Sequence, residues 1–260
     1  MQAGWRRGAG RCAIAVVALA LLYPFFGLLA PVGPWVWSGP IAAANGQSAL
    51  TSLSLTLLAM LIVVAIGMPV SVFVARCRRR ERTVWLGIFL ALILLPPLAL
   101  GLLYSIAFGS HQFLGRWLLQ LGVPTANSPF AFVATQVYVS AGYFIVGGVA
   151  AIMSVPVALE QQAALLGVNP WHTFWRVTLP LALPGMAAAL SLAWARAIGE
   201  FGALMITAYY PASMPVQLWT NLQDFGLPAV MPLLLVFVLC ALPLPWLLHL
   251  FAQRSGRADA

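Results

Sequence analysis

The chain has 260 residues, of which 62% are hydrophobic and 7% charged, and a mean hydropathy of +0.96. A soluble domain carries about 25% charged residues, so this composition excludes a water-covered globule and predicts an all-α integral membrane protein. The net charge of +8 comes from thirteen Arg and no Lys; their placement follows membrane topology, and no nucleic-acid partner is expected.

Apolar runs of about 20 residues can span a bilayer as helices. Six are predicted: Cys12 to about Ala30, Leu50–Ala75, Thr83–Phe108, Pro129–Ile152, Leu181–Ala208 and Pro228–Phe251. The first follows Arg6, Arg7 and Arg11 and resembles a secretory signal, but the small residues Ala42–Ala44 lie too far beyond it for a typical cleavage site. A retained anchor helix is expected. Pro31–Gly46 reads as an outer loop, with Trp35 and Trp37 at the membrane interface.

Arg76, Arg78, Arg79, Arg80 and Arg82 follow the second run, Arg176 precedes the fifth, and Arg254 and Arg257 follow the sixth. With the N-terminal arginines they fall on one side, which the excess of basic residues in cytoplasmic loops makes the inside. Arg116 alone lies in an outer loop, and both termini are expected to be cytoplasmic. The third run carries LLPPLALG (Leu94–Gly101). Proline removes a backbone donor and bends a helix, and freed carbonyls in lipid need protein or water partners. Pro96, Pro97 and Gly101 are therefore expected at a bend lining a cavity.

The segment between the fourth and fifth runs, 154–180, is the longest inner loop and is patterned. Ser154 and Pro156 are helix start signals. Leu159, Ala163 and Leu166 form an apolar stripe with Glu160 and Gln161 off it. Gly167 suits a helix C-terminus, and Asn169-Pro170 suits a cap and first position of a second short helix. On that helix Trp171, Phe174 and Trp175 share a face, and Pro180 is expected to stop it. The prediction is a helix–turn–helix elbow projecting into the cytosol, a rigid connector or a docking element.

Cys12, Cys77 and Cys240 are far apart, as are His111, His172 and His249, so no disulfide or metal spacing is present. No catalytic set, cofactor motif or metal site is expected, and nothing in the chain is built to bind and hydrolyse ATP. Arg196 and Glu200 stand four apart in the fifth run, one helical turn. Ionisable groups inside a membrane are functional candidates by default; here the alternatives are a local ion pair, or a place at the pathway or dimer seam beside Gly199.

The elbow resembles the cytoplasmic signature of ABC importer permeases. Gln161-Gln162-Ala163 stand where that family has Glu-Ala-Ala, Gly167 follows after three residues, and nine more lead to Val177, one residue, then Leu179-Pro180. Glu160 stands one position ahead of the family's Glu. LILLPPLALGLLYSIAFG (Leu92–Gly109), ARAIGEFGALMITAYYP (Ala195–Pro211) and PVQLW (Pro215–Trp219) resemble molybdate and tungstate permeases of the type I importers. The resemblance implies a six-helix permease core over 50–251, after an N-terminal stub, helix and outer loop over 1–49 and before a tail over 252–260. It implies a permease homodimer, two cytoplasmic ATPase subunits carrying Mg-ATP, an extracytoplasmic solute-binding protein, an oxyanion substrate, and the cytoplasmic membrane of a prokaryote. Glu160, Gln161, Gln162, Ala163, Gly167, Val177, Leu179 and Pro180 would couple to the ATPases. Pro96, Pro97, Gly101, Arg196, Gly199 and Glu200 would lie near the pathway. Sulfate, thiosulfate or another small solute is the alternative substrate, and an ATP-independent carrier or channel the alternative class.

Overall fold

The computed structural model describes residues 14, 16–29, 34–36, 39–243 and 245–248. The N-terminal arginines, Cys12, Trp37, His249 and the tail over 252–260 lie outside the described residues. All regular structure among the described residues is helical. In chain order the helices are α1 (Val16–Leu28), α2 (Gly39–Arg76), α3 (Arg79–Leu94), α4 (Pro97–Ala107), α5 (Phe113–Gln120), α6 (Pro129–Met153), α7 (Val157–Leu165), α8 (Pro170–Thr173), α9 (Leu179–Ile198), α10 (Leu204–Thr207), α11 (Met214–Phe225) and α12 (Leu227–Ala241). Among the described residues, four helical stretches are long and apolar enough to cross a membrane, and the bent pair α3–α4 makes a fifth; the described part of α1 is shorter than a full span.

α6 is the centre, packed between α2 and α9. Its start follows from Ser128, whose side chain accepts from the Ala131 N–H at 3.1 Å, with Pro129 in the first position. Without a hydrophobic drive between helices in lipid, close packing needs small residues. A Cβ on Gly148 would lie 2.6 Å from Ser71 Oγ of α2, and one on Gly147 2.6 Å from Ala189 Cβ of α9. These glycines let three helices meet around Val63, Phe144, Ile145, Val149, Ala193 and Trp194.

Four expectations are corrected. α2 has 38 residues and begins at Gly39, so Gly39–Gly46 is helix and not outer loop; at 1.5 Å per residue it is about 57 Å long, well beyond the hydrocarbon core. The third run is two helices turned by 105°. The double proline explains why it breaks instead of curving. A residue before proline is biased away from helical geometry, and both Leu95 (ψ 134°) and Pro96 (ψ 140°) precede one, so the bias acts twice in succession. The fifth run ends at Ile198, so Glu200 lies past the helix end. Pro180 does not stop a helix: Phe174–Thr178 is a π-helical turn that runs straight into α9. The Leu179 N–H reaches back five residues to the Phe174 carbonyl. Such a wider turn absorbs a proline whose own donor is missing. α5 and α11, short helices in the connections before α6 and α12, were not foreseen.

Candidate functional site: the elbow and the buried node

At one end of α6 the chain turns out of the bundle into α7. None of the residues of α7 is buried. It ends in a Schellman turn: Gly167 has φ +75°, its N–H donates to the Ala164 carbonyl at 3.0 Å, and the Val168 N–H donates to the Ala163 carbonyl at 3.0 Å. Asn169 then caps α8, its Oδ1 accepting from the Trp171 N–H at 2.9 Å. The result is a helix–turn–helix whose tip is the segment around Gly167.

The tip is apolar and bare, with Leu165 87% and Leu166 82% exposed. Gln161 and Gln162 are exposed beside them, and Ala163 is half-buried. Trp171 and Trp175 are exposed and pack edge-on with ring centroids 5.6 Å apart, whereas Phe174 turns inward. Val177 and Leu179 are half-buried and Pro180 exposed at the base of α9. Glu160 is the exception. Its carboxylate is ion-paired with Arg76 at the end of α2 and accepts from Thr178 Oγ1 at 2.6 Å. Arg76 entered the sequence reading only as a topological charge, and Thr178 only as the spacer before Leu179-Pro180. Neither carried a signal of partnership with Glu160.

The second candidate group lies deeper. Glu200 has a fully buried side chain, pairs with Arg196 and accepts from the Ala203 N–H at 2.6 Å. The two residues meet, but as a cap on the loop after α9 and not as one face of a continuous helix. Gly199 is exposed at the end of α9. That loop rests on the start of α4: a Cβ on Gly101 would lie 2.8 Å from the Ala203 Cα, and one on Gly202 3.3 Å from Pro97 Cβ. Pro96 and Pro97 are exposed at the bend. The apolar cavity of about 480 Å³ nearby is lined by Tyr104 and Phe108, further along α4, with Leu58 and Val133; the prolines do not line it.

Polar residues inside α6 extend this node and were missed. Gln136 donates from Nε2 to Thr56 Oγ1 of α2 at 3.0 Å and to the Ala197 carbonyl of α9 at 2.9 Å. Thr135 Oγ1 donates to Thr207 Oγ1 at 2.8 Å. A glutamine in the middle of a charge-free run was the available signal, because a buried amide is costly unless bonded.

A multi-pass helical protein with a small-residue seam, a buried polar node and an exposed helix–turn–helix elbow has the build of a transporter's membrane subunit. Residues 67–257 match the family described as "Binding-protein-dependent transport system inner membrane component". The chain belongs to that family, the permease subunits of ABC importers. It is similar to the probable molybdenum ABC transporter permease protein of Haloferax volcanii, 34% identical over 244 residues that cover 91% of this chain and 88% of the relative. It is 28% identical to the molybdenum transport system permease protein of Escherichia coli K12 over 81% of this chain and 96% of that one. It is also 28% identical to the molybdate/tungstate transport system permease protein of Pyrococcus abyssi, over 76% and 73%. Its fold is that of a subunit of a bacterial alginate ABC transporter (TM-score 0.73, 17% identity, covering 97% of this chain and 96% of that one). The MetNI methionine transporter has the same fold (TM-score 0.64, 19% identity, 86% and 99%).

Proposed function

We propose that this chain is the membrane subunit of an importer that carries molybdate or tungstate inward, driven by ATP hydrolysis on partner subunits. The observation that carries the substrate class is the 34% identity to the Haloferax volcanii molybdenum permease across nearly the whole of both chains. In this reading the chain spans the membrane six times with both termini in the cytosol of a prokaryote. It pairs with a second copy, receives the anion from an extracytoplasmic binding protein, and itself catalyses nothing.

The elbow is the docking element for two cytoplasmic ATPases. A rigid pair of short helices with bare leucines at its tip suits insertion into a groove of a soluble partner, the manner in which exposed apolar patches commonly find use. Gln161, Gln162, Ala163 and Gly167 form the contact, with Val177, Leu179 and Pro180 bracing its base. Closing of the ATPase pair on Mg-ATP would move the elbows and switch the membrane pathway between its two facings. Pro96, Pro97 and Gly199, exposed around the bend, lie next to that pathway.

The pathway needs to pass an anion and let it go. At the far end of the bundle a recess of about 220 Å³ is lined by Gln47, Ser48, Thr51, Tyr209, Tyr210, Gln217 and Thr220, all neutral. Neutral hydroxyls and amides offer an anion transient hydrogen bonds with no fixed cation to trap it. Arg196, bound to Glu200, is already neutralised. Stimulated ATP hydrolysis tests the substrate: the complex is purified with its partners, reconstituted, and assayed with the binding protein loaded in turn with molybdate, tungstate and sulfate. Molybdate or tungstate should stimulate hydrolysis and sulfate should not. Stimulation by sulfate alone would replace the substrate.

A further inference from the structure

Glu160 is the only α7 side chain that hydrogen-bonds another element among the described residues. A single oxygen, Oε1, takes both the Arg76 guanidinium and the Thr178 hydroxyl, the latter at 2.6 Å. Arg76 is the last residue of α2, and Thr178 immediately precedes α9. One carboxylate therefore gathers the ends of the two helices that flank α6. Packing adds little beside it, since no residue of α7 is fully buried. Behind the elbow lies a recess of about 220 Å³, bordered by Val72, Arg76, Glu160, Ala164, Thr173 and Phe174. A displacement of α7 thus reaches the bundle through its two peptide connections, its packing on the turn Phe174–Thr178, and this joint. A carboxylate held by a guanidinium and a hydroxyl is a directional contact. From Arg76, α2 runs unbroken to the other end of the protein. There Asn45 Oδ1 accepts from Asn221 Nδ2 at 2.8 Å, and Ser52 Oγ accepts from the Met214 N–H at 2.7 Å.

We propose that Glu160 is a positioning residue and not an ATPase contact: with Arg76 and Thr178 it forms the joint that delivers elbow movement to α2 and α9. The proposal rests on the docking role of the elbow given above. The joint explains why an acidic side chain stands at 160 while the outward positions that follow, 161 and 162, are uncharged.

The test uses the whole transporter, permease with its ATPases and binding protein, in proteoliposomes. Two quantities are read: ATPase retained per permease, and molybdate taken up per ATP hydrolysed. Glu160→Gln and Arg76→Gln are each expected to retain the full ATPase complement and to lower uptake per ATP by about 5-fold or more, the scale of an allosteric coupling. The double variant should fall no further than the worse single one, since both remove one joint. Thr178→Val, which leaves the ion pair, should give a smaller fall in the same direction. A wild-type uptake ratio in either single variant, or losses that multiply in the double, would overturn the proposal. So would loss of ATPase from Glu160→Gln, which would put Glu160 on the docking surface. Gly167→Glu in the same assay isolates the underlying reading: if it keeps its ATPases, docking through the elbow is wrong whatever Glu160 does.

Discussion

Two Arg–Glu pairs stand among the described residues, and their settings are opposite. Arg196 and Glu200 are four residues apart, and the glutamate has no exposed side-chain surface. Arg76 and Glu160 are 84 residues apart, and both side chains keep contact with solvent. The buried pair closes a local loop. Its carboxylate also binds the Ala203 N–H, so the loop after α9 has a fixed shape against Gly101. The exposed pair joins separate helices and can loosen without uncovering a core. Burial thus separates an ion pair that fixes one loop from a pair that ties two helix ends together in contact with solvent. Removing one partner of a buried pair strands the other, at about 3–5 kcal/mol, whereas an exposed pair contributes about 1 kcal/mol or less to stability.

That contrast can be broken most easily at Glu200. Glu200→Ala alone should leave Arg196 unpaired and abolish folded protein, seen as loss of the monodisperse peak in detergent. Arg196→Gln combined with Glu200→Ala removes both charges and should recover much of the expression while transport stays impaired; equal loss of both would make the pair purely structural. Glu160→Gln, by comparison, should change the yield little.

Gly167→Glu sharpens the elbow side. The residue sits at φ +75°, where a side chain costs about 1–2 kcal/mol. The strain falls on an exposed turn, so the protein should insert normally and lose its ATPases on purification. Gly101→Leu probes the other region. A Cβ there already meets the Ala203 backbone at 2.8 Å, and overpacking costs about 1–3 kcal/mol. A lowered melting temperature with ATPase association intact is expected.

The smallest effect is at Cys77, between α2 and α3. Burial, and next the Glu81 carboxylate, push its thiol above the ordinary value. A raised pKa means less thiolate at a given pH, so alkylation at pH 8 should be slower than for a free thiol and keep rising at higher pH. Glu81→Gln should speed it modestly. Labelling of Cys77 by an impermeant maleimide only from the cytosolic side would also fix the sidedness of the arginine-rich turn and of the elbow.

Helix positions with local causes were legible in the sequence. α6 started at Pro129, where the fourth apolar run was expected to begin, and Asn169-Pro170 and Gly167 shaped the elbow through caps that need no tertiary contact. The remainder depended on partners distant in sequence. Glu200 was read as helical because apolar residues continue to Ala208; the break comes from the loop packing on α4, which periodicity does not encode. The 105° turn at Pro96 was legible as a bend but not in size, since two successive residues preceding prolines add their restrictions. Arg76 was counted as a topological charge, and only the fold brings it to Glu160. Gln136 was passed over because one amide in an apolar run leaves no pattern.

In the proposed function the elbow tip docks into a cytoplasmic ATPase. The most direct measurement is a cross-link from Leu166→Cys in a permease with its native cysteines replaced, co-expressed with its partners and treated in membranes with a short thiol–amine reagent. An adduct between permease and ATPase subunit is predicted. Leu121→Cys, exposed beyond α5 towards the opposite end of α6, should give none. No adduct from position 166, or an equal one from position 121, would contradict the account.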